Sequence, residues 1–117
     1  MSRLAIHAAA KRADAAIIFA ALGDETRLRI VARLCEEGPL PITRLADGAA
    51  VTRQAITKHL HALEEAGLAR ASRAGRKSIW ELRANRLANV QRYLDQISKD
   101  WDAALGRLRA FVEEDER

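Results

Sequence analysis

A short helical stretch, a turn containing Gly48 and a longer helix occupy residues 42–66. A segment that alternates around Gly75 follows, and a heptad pattern runs on from about Asn85. Together these observations predict a mainly α fold with a small β-hairpin: a winged helix-turn-helix of five helices plus a two-stranded wing. At 117 residues the chain is expected to be one domain, residues 1–117, with a single modest core and no separate effector domain.

The first helix is placed at 3–22, where alanine is frequent and breakers are few, with Gly23 as its stop. Its run Ala15-Ala16-Ile17-Ile18-Phe19-Ala20-Ala21-Leu22 is too short to span a bilayer and lies between Asp14 and Asp24, so it reads as a buried helix and no membrane partner is expected. Asp24 is placed to cap a second helix that ends near Glu37, before Gly38-Pro39. On that helix Leu28, Val31, Ala32 and Cys35 share one face while Ile30 and Leu34 lie on another. The arrangement predicts a helix sandwiched between neighbours, with Arg29 and Arg33 in a narrow basic stripe.

Ile42 to Asp47 forms the short helix, and Thr52 opens the longer one, which Gly67 stops near Ala66. At 100° per residue, Ile56, Leu60 and Leu63 fall in one sector that must face a core. Gln54, Thr57, Lys58 and His61 point the other way, with Arg53 in the first turn. An amide suits adenine, an ammonium suits guanine or phosphate, and hydroxyl and imidazole add hydrogen bonds, so these residues suit the major groove of DNA. Thr52 is expected to cap the helix, whose N-terminus then attracts phosphate. Any exposed helix carries polar groups; it is the flanking turn and basic hairpin that favour a reading helix.

The wing is placed at 68–82. Ser78, Trp80 and Leu82 alternate with Lys77, Ile79 and Glu81, and Gly75 marks the turn. Arg70, Arg73, Arg76 and Lys77 gather around that turn with no acid until Glu81, which suits phosphate contact or a narrow minor groove better than a merely solvated cluster. From 85 to 112 a C-terminal helix carries Leu87, Val90, Leu94, Ile97, Trp101, Ala104, Leu108 and Phe111 at alternating steps of three and four. Its distal part, Ile97, Trp101, Ala104, Leu108 and Phe111, exceeds what so small a body can cover and is expected to form a homodimer interface, with the first helix as second element. A two-fold dimer would then read an inverted repeat in double-stranded DNA.

The formal charge is +4 and the pI about 9.8 despite the acidic end 113–116, consistent with a polyanionic partner. The single Cys35 cannot form an intramolecular disulfide, and no cysteine–histidine cluster suggests a metal or other cofactor, so a reducing cytoplasm fits best. Cys35 is expected to be a small core residue, and His59 a packing and hydrogen-bonding one. No Gly-rich phosphate loop and no nucleophile with a base are present, so no enzymatic activity is expected.

The segments FAALGDETRLRIVARL, TRQAITKHLHALEEAGLA and GRKSIWEL, in that order, resemble the ArsR family of winged-helix repressors. The resemblance implies a cytoplasmic homodimer joined through its first and last helices. It places Thr52, Arg53, Gln54, Thr57, Lys58 and His61 on the family's DNA-reading helix, and Arg73, Arg76 and Lys77 at its wing tip. The family's metal sensors carry a Cys-x-Cys box whose two positions are here Pro41 and Thr43, and residues 85–117 contain no histidine. The form QRYLDQISKDWDAALGRLRAFVE is similar to that of a metal-independent subgroup. No metal control is therefore expected, and the small-molecule inducer stays unknown. Two rival readings remain open at this stage: a winged-helix module that docks proteins, and a redox or metal sensor acting through Cys35.

Overall fold

The computed structural model describes residues 2–116. Helix α1, Arg3–Leu22, starts where the Ser2 hydroxyl accepts the Ala5 N–H at 3.1 Å. Among its described residues Ala15, Ile18 and Ala21 are buried and Leu22 packs partly against the core, while Leu4, Ile6, Ile17 and Phe19 are exposed. The expected buried helix is thus buried along one edge only, because its own chain lies on one side of it.

Helix α2, Glu25–Glu37, begins with the Asp24 carboxylate accepting the Arg27 N–H at 3.0 Å. Its core face is Ile30 and Leu34. The expectation of a sandwiched helix fails here: Leu28, Ala32 and Cys35 are exposed, because α1, α4 and β3 all pack on the other side. Cys35 is therefore a surface thiol and not a core residue.

After Gly38 the chain forms a strand that the sequence did not announce, β1 at Leu40–Pro41. Helix α3, Ile42–Ala46, and helix α4, Arg53–Glu65, follow; then come β2, Ala69–Ala74, β3, Lys77–Leu82, and α5, Ala84–Asp115. The sheet has the order β1-β3-β2, fully antiparallel, with Leu40 opposite Trp80 and Ala71 opposite Trp80 on the other side. The wing is therefore three-stranded at its base. Proline suits β1 because an edge strand leaves its missing N–H unneeded.

One core joins every element. Ile18 and Ala21 meet Ile30, Leu34, Leu40, Leu45, Ile56, Leu60, Leu63, Leu68, Trp80 and Val90. Leu60, Leu63 and Leu68 have no exposed surface at all. At the α4–β2 junction Gly67 holds a φ of 80°, and a Cβ there would come within 2.9 Å of Arg86 Nε. The last helix runs three residues past the expected 112, reaching Asp115, since nothing in the acidic end breaks it. Every residue from 98 to 116 is exposed, and the molecule extends 71 Å along its longest axis. No helix among the described residues is long and apolar enough to cross a membrane.

Three outcomes follow from this packing. Leu60→Ala is expected to cost about 2–5 kcal/mol of stability in urea denaturation, as buried leucines do. Gly106 sits inside α5 with open space around its Cα, so Gly106→Ala should raise stability by about 0.5–1 kcal/mol in the same measurement. The backbone hydrogen bond from Arg27 holds the Asp24 carboxyl below the usual aspartate value, outweighing its partial desolvation, with the charges of His59 and Arg27 helping. A lowered folded pKa stabilises above the ordinary aspartate range and is lost as pH falls through the folded value. The stability advantage of the wild type over Asp24→Asn is therefore expected at neutral pH and should shrink in acid.

Candidate nucleic-acid interface

Helix α4 is set by its two sides. Ile56, Leu60 and Leu63 are buried at 0–1% exposure, which fixes its rotation. Arg53, Gln54, Lys58 and His61 are then exposed on the opposite side. Thr52 caps the helix as expected, accepting the Ala55 N–H at 3.1 Å. The first turn holds no acidic residue, so the positive end of the helix dipole is unshielded towards solvent.

Two of the expected reading residues are already engaged. The half-buried Thr57 donates its hydroxyl to the Arg53 carbonyl at 2.9 Å, leaving its oxygen free only as an acceptor. His61 lies 3.4 Å from Glu64 through Nδ1, and its ring meets Trp80 edge-on, with centroids 5.7 Å apart at 81°. The imidazole therefore ties α4 to the sheet, a link the sequence did not reveal. The side chains of Arg53, Gln54 and Lys58 remain uncommitted among the described residues.

The hairpin register explains the wing charges. Ala74 pairs with Lys77, so Gly75 and Arg76 alone form the loop, with Gly75 at φ 65°. A two-residue loop that needs a positive φ only at its first position suits glycine followed by an ordinary residue. Arg73, Arg76 and Lys77 are exposed at this tip and form no ion pair among the described residues. Arg70 differs from the expected cluster: it stands at the base, opposite Glu81, and bonds its carboxylate at 2.7 Å.

Behind the reading unit a polar brace connects the helices. Arg33 donates to the Arg44 carbonyl at 2.6 Å and to Glu37 at 2.9 Å, while Arg44 reaches Glu37 at 3.4 Å. The Arg33 hydrogen bond, with both arginine charges, holds the Glu37 carboxyl below its ordinary value. At the far end Arg27 donates to the Ala21 carbonyl and lies 3.5 Å from His59, which is 3.7 Å from Asp24. His59 is thus the packing and hydrogen-bonding residue expected. The residues expected for self-association lie elsewhere, on the far part of α5: Ile97 is half-buried, and Trp101, Ala104, Leu108 and Phe111 are exposed.

Residues 22–70 match the helix-turn-helix domain family. The chain is similar to an ArsR-like transcriptional regulator from Rhodococcus sp. RHA1, with 35% identity, a TM-score of 0.74, and coverage of 86% of this chain and 93% of that one. This chain belongs to the ArsR-like winged helix-turn-helix transcriptional regulators. By sequence the chain is also similar to the HTH-type transcriptional regulator Rv2034 of Mycobacterium tuberculosis, 38% identical over 73% of this chain and 76% of the relative. The uncharacterized regulator MJ1325 of Methanocaldococcus jannaschii is 30% identical over 74% of this chain and 98% of its own length. The ArsR-like assignment makes the protein a DNA-binding transcriptional regulator. If Thr52 sets the start of the reading helix, Thr52→Ala should cost about 1 kcal/mol of stability in thermal or urea unfolding.

Proposed function

We propose that this ArsR-like protein is a metal-independent, homodimeric repressor that occupies an inverted-repeat operator in the cytoplasm and excludes transcription machinery from the promoter. The observation that carries the reading is the pairing of a helix seated by its buried side in the core with free cations at the neighbouring wing tip. Gln54 and Lys58 face solvent from a helix whose other side is almost wholly buried. Arg53 and the capped N-terminus approach phosphate, Gln54 and Lys58 read base edges, and Thr57 and His61 contribute at the margin. Arg73, Arg76 and Lys77 grip the backbone beside them.

Homodimerisation through α1 and α5 is supported by the apolar surface those helices leave uncovered, including Leu4 and Ile17 on α1 and Trp101, Leu108 and Phe111 on α5. Two reading heads about one DNA turn apart, roughly 34 Å, match two half-sites. Metal independence is supported by Pro41 and Thr43 in place of a cysteine pair. No cofactor and no catalytic role are assigned, and the inducer is unidentified.

The exposed Cys35 favours one second reading, a thiol-based redox sensor. A Cys35→Ser protein whose operator release by oxidant matches the wild type excludes it.

Operator fragments selected from the source genome, followed by fluorescence anisotropy, test the main reading. Gln54→Ala and Lys58→Ala should each cost about 1–3 kcal/mol of binding or base discrimination. Unchanged operator affinity in a Gln54/Lys58/His61 triple alanine variant would refute the assigned face. Arg76→Ala is expected to lower the salt slope of binding by about one, and Arg70→Ala by less, because its guanidinium is engaged with Glu81. Zinc or arsenite that releases the operator would overturn metal independence.

A further inference from the structure

The uncovered part of α5 carries more information than its hydrophobicity. Helix α1 lines a groove with α5 that reaches Asp100, with Leu4, His7 and Ala15 on one side and Val90, Tyr93 and Ile97 on the other. Beyond that point α5 overhangs the body by about 22 Å, taking 1.5 Å per residue. The overhang is strongly apolar on one side: Trp101 is 64%, Leu108 59% and Phe111 69% exposed.

We propose that this overhang pairs antiparallel with the same segment of a second copy, in the register that sets Asp100 against the partner's Arg107 and Trp101 against the partner's Ala104. The inference rests on the homodimer reading above and specifies its orientation and register.

The heptad supplies the argument. Leu94, Trp101 and Leu108 form one apolar row, and Ile97, Ala104 and Phe111 the other. Tyr93, Asp100, Arg107 and Glu114 flank the first row on one side, and Ser98, Leu105 and Val112 flank the second row on the other. When two such helices run antiparallel, each row faces the opposite row of the partner, and the Asp100 flank faces itself. Only a few registers, seven residues apart, are then available.

In the proposed register Trp101 meets the partner's Ala104, Leu108 meets the partner's Ile97, and Phe111 meets the partner's Leu94. The widest side chain, Trp101, meets the smallest, Ala104, and the other two layers join side chains of similar size, so the helices stay nearly evenly spaced. Two-fold symmetry makes the Asp100–Arg107 attraction twice. Sliding by one heptad in one direction sets Arg107 against the partner's Arg107 and Asp100 against the partner's Glu114. Sliding the other way sets Asp100 against the partner's Asp100. Charge therefore selects one register, the role flanking charges play in coiled coils.

A parallel pair fits less well. It would stack Trp101 on the partner's Trp101 and Ala104 on the partner's Ala104, alternately too wide and too narrow. It would also set Asp100 and Arg107 against uncharged Leu105 and Val112. Within its own chain Asp100 accepts only from Gln96 at 3.1 Å, and Arg107 has no ion pair among the described residues. Both charges are available to a partner.

The test uses the full chain in sedimentation and native mass spectrometry. Asp100→Arg and Arg107→Asp each place like charges together twice, so each homodimer should dissociate about tenfold more readily than wild type at low salt. An equal mixture of the two variants should instead form heterodimers in preference to either homodimer, and the Asp100→Arg/Arg107→Asp double variant should regain wild-type association. Single variants that dimerise like wild type, or a mixture that stays unmixed, would overturn the register while leaving the homodimer reading intact. A wild-type protein that remains a single subunit at micromolar concentration would overturn both.

Discussion

The seating of α4 is the constraint on which the molecule depends. Ile56, Leu60 and Leu63 share one core with Ile18, Ile30, Leu34, Leu45, Leu68 and Trp80, so residues from α1, α2, α3 and the sheet together fix the roll of a single helix. Native interiors are packed too densely for such a helix to rotate without opening voids. The polar side is consequently held at a fixed aim, and the sequence that forms the core also decides which residues meet solvent. A groove-reading helix needs this rigidity, because base contacts depend on side chains arriving at defined positions.

Much of this was legible from the residues. The caps at Asp24 and Thr52, the apolar sector of α4 and the turn at Gly75 are local signals, and each appears where local chemistry puts it. What was not legible depends on which partner occupies which side. Leu28, Ala32 and Cys35 were expected to be inside because they are apolar and share a face, yet that face looks outward. Periodicity shows that a helix has two sides; it does not show how many of them its own chain covers. The strand at Leu40–Pro41 is not legible in the sequence for a related reason, since two residues, one of them a proline, carry no alternation and acquire their identity only by pairing with β3.

The candidate site shows the same division. Exposed and capping roles on α4 follow from spacing, whereas the engagement of Arg70 with Glu81 and of His61 with Trp80 follows from cross-strand register and from the approach of α4 to the sheet. Both contacts join residues distant in sequence. Their effect is to divide the positive surface into cations already satisfied by the protein and cations still available. The composition alone counts them equally.

The small sheet has a further consequence for the life of the protein in solution. Its order leaves β1 and β2 as edges, and an unprotected edge is a template onto which another strand can add. On one side β1 is two residues long and ends in Pro41, which offers no N–H to a newcomer. On the other, β2 carries Arg70 and Arg73, whose hydrated side chains discourage close stacking by a like-charged chain. The arginine that makes the hairpin attractive to a polyanion at Arg73 therefore also guards against fibrous self-addition, so neutralising it exposes a solubility liability in addition to weakening any grip on nucleic acid.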